Sequence, residues 1–206
     1  MAARAIAGLY AVTPDWRDSA RLLMAARAAI EGGARVLQYR NKVAPPALRL
    51  EHALALSAVC AKFGAVFIVN DHVDLALEVD ADGVHLGGSD GDIAAARNKL
   101  GAGKLLGASC YGRIEAALAA KAAGADHIAF GSIYASASKP GAPRAALELF
   151  GQARGMGLPK VAIGGISADN AGPVIEAGAD AVAVISDLFD APDIAARARR
   201  FAALFD

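Results

Sequence analysis

A short unit recurs along this chain and constrains its fold more than any other feature. A helical pattern ends in Gly or Ala, an Asp or Arg follows, and a short β-branched run comes next. It reads EGGARVLQYR at 31–40, VDADGVHLGG at 79–88, AAGADHIAFG at 122–131 and EAGADAVAVIS at 176–186. Glycine supplies the left-handed conformation at which a helix stops. The apolar run that follows is nearly unbroken, as in a strand covered on both faces in a parallel sheet.

Reading between these units gives eight strand candidates, at 6–12, 35–40, 66–70, 83–87, 105–109, 127–131, 160–165 and 181–186. Helical patterns separate them at 17–31, 46–63, 72–79, 92–100, 113–123, 144–155, 168–177 and 193–205. Pro45 and Pro46 open the second helix. Asp90 and Asp92 precede the fourth, and Ser167 stands as a cap for the seventh, ahead of Asp169. Eight β-α repeats in 206 residues predict a single-domain (β/α)8 TIM barrel over 1–206. A doubly wound open sheet is the alternative, but no Gly-rich dinucleotide fingerprint follows the first strand, which leads into Thr13-Pro14-Asp15.

Composition narrows the partners. Lys+Arg 21 balance Asp+Glu 21, so no general basic field draws nucleic acid or an anionic membrane. Gly, Pro or charge interrupts each apolar run well short of a membrane span. The N-terminal apolar stretch meets Thr13, Pro14 and Asp15 too soon for a signal peptide. Two cysteines, Cys60 and Cys110, are too few for a disulfide scaffold and read as buried thiols, so a cytoplasmic setting is expected. The oligomeric state stays open, a homo-oligomer included.

A barrel carries its chemistry at the C-terminal ends of its strands. Gln38, Arg40 and Lys42 leave strand 2 on one side. An Arg fork and a Lys point charge together suit a polyphosphate, or they are two cations on a solvated loop. Asn70-Asp71-His72 follows strand 3, and Gly87-Gly88-Ser89-Asp90 follows strand 4. Asp71 and Asp90, at adjacent exits, suit Mg2+ shared with substrate phosphates and water; each could instead cap a helix. Ser109 ends strand 5. The long segment after strand 6 holds Ser136, Ser138 and Lys139, as a functional lid or a surface turn. Gly164-Gly165 after strand 7 and Ile185-Ser186 after strand 8 occupy the usual phosphate site of such barrels. His52 is expected to be exposed on its helix, and His85 and His127 to be packed. His72 could face the site, and Trp16 anchors packing. The residues alone thus give two anion sites across one barrel mouth: a diphosphate with Mg2+, and a monophosphate.

These segments resemble the thiamine-phosphate synthase family along nearly the whole chain. Its Q-x-R-x-K motif is matched by Gln38, Arg40 and Lys42, and its N-D pair by Asn70-Asp71. Its G-I/V-H-L-G segment is matched from Gly83 to Gly87, with Asp90 at a second metal position. Its T-x-T-K loop appears as Ser136-Ala137-Ser138-Lys139, its A-I-G-G-I turn at 162–166, and its I-S pair as Ile185-Ser186. The chain departs at His72 (a frequent Asp), Gly88 (usually Gln), Ser136 and Ser138 (Thr), and Ser132 and Ala135 (frequent Pro).

The resemblance implies that a hydroxymethylpyrimidine diphosphate is joined to a thiazole phosphate, releasing pyrophosphate. It implies that Arg40, Lys42, Asn70 and Lys139 hold the diphosphate, and that Asp71 and Asp90 hold Mg2+. Gln38 and Ser109 would line the pyrimidine side; Ser136, Ser138, Gly165, Ile185 and Ser186 would hold the thiazole phosphate. Arg40, Lys42, Ser109 and Lys139 would be the catalytic set. A thiazole tautomerase relative tends to carry His directly after the strand 6 glycine, where this chain has Ser132. A phosphate-ligand sensor would have lost a metal Asp or the loop 2 cations, and an isomerase would need only one phosphate site.

Overall fold

Alternation along each apolar run sends successive side chains to opposite faces, and here both faces are covered. In β1 (Gly8–Val12), Leu9 and Ala11 pack outward among the helices, whereas Tyr10 and Val12 pack inward with Val36, Ile68, Val161 and Ala183. A computed structural model describes residues 6–88, 91–135 and 144–206 of the chain. The other strands are β2 (Val36–Tyr39), β3 (Val66–Asn70), β4 (Gly83–Leu86), β5 (Leu105–Tyr111), β6 (His127–Phe130), β7 (Lys160–Ile163) and β8 (Ala181–Val184). All eight are parallel and close into a barrel in chain order, with β1 paired to β8 from Gly8 opposite Ala181 to Ala11 opposite Val184. The expected (β/α)8 barrel is therefore present.

The helices form the outer layer: α1 (Ser19–Glu31), α2 (Pro46–Phe63), α3 (Val73–Glu78), α4 (Ile93–Leu100), α5 (Ile114–Ala122), α6 (Glu148–Gln152), α7 (Gly172–Glu176), α8 (Ser186–Phe189) and α9 (Ile194–Ala202). None of the described helices is long and apolar enough to cross a membrane. Cys60 and Cys110 are both buried and neither forms a disulfide, and burial pushes the Cys110 thiol up to about 11. Trp16 packs edge-on against Phe189, with Arg21 stacked 3.6 Å from its ring centre.

The recurring unit has a second physical meaning at the bottom of the barrel. In three of its copies the Asp carboxylate accepts the backbone N–H of a residue at the start of the preceding strand. Asp82 takes Phe67 at 2.8 Å, Asp126 takes Leu106 at 2.7 Å and Asp180 takes Lys160 at 2.7 Å. The Asp backbone N–H groups donate back to the carbonyls of those same residues. Each Asp thus staples two strands below their first rung, while the strand exits above stay free for a site.

Four local expectations change. His52 is buried, at 1% exposure, because α2 turns His52, Ala53, Leu56 and Cys60 inward. Its ring meets the Tyr39 hydroxyl at 3.2 Å and the Ser19 hydroxyl at 3.0 Å. The seventh helix starts only at Gly172, with Pro173 in its first turn and Ala171 at its N-cap. Ser167 is no cap; its N–H donates to Asn170 Oδ1 in the turn before the helix. The sixth helix is α6 followed by one 3-10 turn at Arg154–Met156. Helix α8 begins at Ser186, where sequence reading ended strand 8.

Candidate active site

The strand exits converge on a cavity of about 580 Å3, lined by Gln38, Arg40, Asn70, Ser109, Gly165, Ile185 and Ser186 among others. Seven residues singled out from sequence thus meet in one space. A second cavity, of about 390 Å3, shares Asn70 and adds Lys42, Asp71, His72, Asn41 and Arg49. Asp90, Ser136, Ser138 and Lys139 lie outside the described residues.

At the exit of β2, Thr13 holds Arg40 from both directions. Its hydroxyl accepts the Arg40 N–H at 2.9 Å and donates to the Arg40 carbonyl at 2.9 Å. The guanidinium then reaches Asp15, at 3.1 Å, and the same carboxylate accepts the Lys42 backbone N–H at 2.7 Å. Asp15 therefore fixes both the fork and the loop carrying the second cation. Lys42 Nζ stands 3.9 Å from Asp71. Asp71 is held at φ +63, in the left-handed region, and the N-cap position of α3 falls on His72 rather than on it. The reading of Asp71 as a helix cap is thereby removed.

Polar groups on the cavity floor are tied to one another. Gln38 donates its side-chain N–H to the Tyr10 hydroxyl at 2.8 Å, and burial holds the Tyr10 phenol above its ordinary pKa. His85 Nε2 lies 2.9 Å from the Ser109 hydroxyl, and its Nδ1 lies 3.5 Å from His127 Nε2. Burial lowers His85 to about 4; burial and then the His85 neighbour lower His127 to about 3. Both rings are neutral near pH 7, as expected of packed histidines. Gly107 stands in register between them, and a Cβ there would fall 2.2 Å from His127 Nε2 and 2.4 Å from His85 Nδ1.

The exits of β6 and β7 are stitched together. Ile133 and Tyr134 donate backbone N–H groups to the carbonyls of Ile163 and Gly164. Gly164 and Gly165 sit at φ +104 and +62, and a Cβ on Gly165 would lie 2.2 Å from the Ala135 carbonyl oxygen. Only glycine permits both the conformation and the approach. The turn presents open backbone toward the cavity, with Ile185 and Ser186 beside it.

Sequence reading missed Asp15, Tyr10, Tyr111 and the site-facing part played by His85. Asp15 carried a readable signal, since it follows the first strand exit. Tyr10 and His85 lie within strands, where an inward polar ring looks like core.

The thiamine monophosphate synthase family model matches residues 9–188. The chain is 58% identical to a thiamine-phosphate synthase of Chromobacterium violaceum over 200 residues, covering 97% of each protein. It is 54% identical to one of Methylobacillus flagellatus over 201 residues, covering 98% of this chain and 96% of that protein. Its fold is similar to the solved thiamine phosphate pyrophosphorylase from Pyrococcus furiosus, with a TM-score of 0.88 and 35% identity over 98% of this chain and 96% of that one.

Proposed function

This chain belongs to the thiamine monophosphate synthase family, and on that footing we propose how its cavities divide the work of making thiamine phosphate. The reaction joins 4-amino-2-methyl-5-(diphosphooxymethyl)pyrimidine to 4-methyl-5-(2-phosphoethyl)thiazole and releases pyrophosphate. The observation that carries the assignment is the shared mouth: the cation-bearing cavity and the glycine-turn cavity meet at Asn70. Two phosphorylated substrates can thus lie with their reacting atoms adjacent.

The diphosphate takes the Lys42 and Asn70 side, with Arg40 reaching from the main cavity; Lys139 is assigned to it as a further cation. The pyrimidine lies toward Gln38 and Ser109. The thiazole phosphate takes Gly165, Ile185 and Ser186, with Ser136 and Ser138. Among the described residues no three His, Cys, Asp or Glu side chains cluster to hold a metal. A hard cation bound partly by substrate phosphates needs only one or two carboxylates. Asp71, beside Asn70 and with its side chain 17% exposed, fits that requirement; Asp90 would be the second ligand. Mg2+ held there would neutralise charge growing on the diphosphate.

The C–O bond to the pyrimidine methylene breaks and its electron pair leaves with the diphosphate. The cations Arg40 and Lys42, joined by Lys139, stabilise that charge electrostatically. The aminopyrimidine carries the positive charge left on the methylene. The thiazole nitrogen, held in line by its phosphate anchor, donates its lone pair to form the new C–N bond. No protein nucleophile takes part. Tyr10, Val12, Val161 and Ile163 give the cavity apolar walls that limit water, which would otherwise capture the cation.

Incubation with both substrates, with and without Mg2+, tests the reading. Metal-dependent thiamine phosphate formation, lost in Asp71→Ala and Lys139→Ala, is expected. Binding of thiazole phosphate with no product at any metal concentration would overturn it.

A further inference from the structure

We propose that Tyr111 is a further substrate-binding residue, its ring forming the wall of the pyrimidine bay on the β4-loop side; the inference rests on the reading of the site given above. Strand β5 places Ser109 and Tyr111 two residues apart, and both line the main cavity. Between them the pairing with β6 shifts register, and Tyr111 takes φ +53. Bulky L residues rarely enter that region, and such strain persists only where the surroundings hold it.

Two contacts hold it. The Tyr111 hydroxyl accepts the Gly88 N–H at 3.1 Å, and its carbonyl accepts the Gly131 N–H at 3.1 Å. The side chain is thereby aimed across the mouth rather than away from it, yet the residue remains 42% exposed. A Cβ on Gly88 would lie 2.8 Å from Tyr111 Cε2. The ring thus fills the space that any side chain at position 88 would need, and the family's usual Gln could not stand beside it unmoved. What lies beside the ring in the bay is a planar heteroaromatic that turns cationic as the diphosphate leaves. An electron-rich phenol suits both the plane and the charge.

The test compares wild type with Tyr111→Gly, Tyr111→Phe, Gly88→Ala and the Tyr111→Gly/Gly88→Ala double variant. Steady-state kinetics, thermal midpoints and calorimetric titration with the pyrimidine diphosphate and Mg2+ are measured. Tyr111→Gly is expected to weaken pyrimidine diphosphate binding about tenfold. It should leave KM for the thiazole phosphate within about twofold, and hold or raise the thermal midpoint, since glycine relieves the strained φ. Tyr111→Phe keeps the ring and stays within about threefold of wild type. Gly88→Ala weakens pyrimidine binding alone and adds nothing once the ring is gone.

Equal calorimetric affinity of wild type and Tyr111→Gly overturns the inference and leaves the synthase reading intact. A parallel rise in both KM values with a fallen midpoint also overturns it, as the mark of a structural role. Wild type that binds the pyrimidine diphosphate but forms no thiamine phosphate refutes the synthase reading, while the Tyr111 comparison still stands. Wild type that binds none overturns both.

Discussion

Asp15 shows how one carboxylate can set a site without touching its chemistry. It accepts from the Arg40 guanidinium and from the Lys42 backbone, so it fixes the direction of one cation and the height of the other. The pair is partly exposed, with the Arg40 and Asp15 side chains 19% and 38% accessible, and contributes little to stability. Its value lies in orientation, because an Arg fork bonds a phosphate well only in the right plane. Asp15→Asn is expected to raise KM for the pyrimidine diphosphate roughly tenfold, about the worth of one charged hydrogen bond. The thermal midpoint should stay near wild type. A fallen midpoint with unchanged KM would assign Asp15 to folding alone. Gly165 is the opposite case, where a single methyl group is excluded. Gly165→Ala should destabilise the fold by more than about 1 kcal/mol, since alanine resists the positive φ. It should also lose affinity for the thiazole phosphate, which denaturant unfolding and KM for that substrate read separately.

Among the elements, the division between barrel floor and barrel mouth separates stability from activity. Asp126 staples β5 to β6 below the first rung and also pairs with Arg97. Asp126→Ala leaves the N–H of buried Leu106 without that acceptor and should cost about 1–3 kcal/mol in urea unfolding. Both KM values should be unchanged, since the site lies at the other end of the strands; a shift in either would show the two ends to be coupled. The strands were legible because both their faces are buried, which makes the apolar runs short and unbroken. Helix α2 was legible because its eighteen residues from Pro46 to Phe63 run unbroken from a proline start to the glycine that stops them. Helix α8 was not, since four residues give about one turn and no 3.6-residue rhythm. The candidate site was readable wherever a polar residue followed an apolar run, as at Gln38, Arg40, Asn70 and Ser186. The parts played by Tyr10, His85 and Tyr111 depend on which neighbour stands in register, and that is set by the barrel rather than by local sequence.

The whole molecule carries a pH dependence set by its interior. His85 and His127 are held at about 4 and about 3, below the ordinary histidine value of 6.5, chiefly by burial. The unfolded chain therefore binds protons below pH 6.5 that the folded chain refuses. Stability from this source is complete above pH 6.5 and is lost as the pH falls toward the folded values. The slope approaches about 1.4 kcal/mol per pH unit for each ring. Urea midpoints at about pH 7 and about pH 5 should differ accordingly, and His127→Phe should flatten the difference. Identical midpoints in wild type would mean that the rings are not kept neutral. The pairing of β1 with β8 has a consequence of another kind, for the order of synthesis. A ribosome makes Gly8–Val12 early and Ala181–Val184 late, so the first strand keeps an unpaired edge while most of the chain is being made. The helix layer waits as well, since Gly32 of the α1 end lies against Ala195 and Ala198 of α9. Until that seam shuts, the nascent chain exposes a sticky strand edge and an apolar helix face, which is the interval in which chaperones matter most to it.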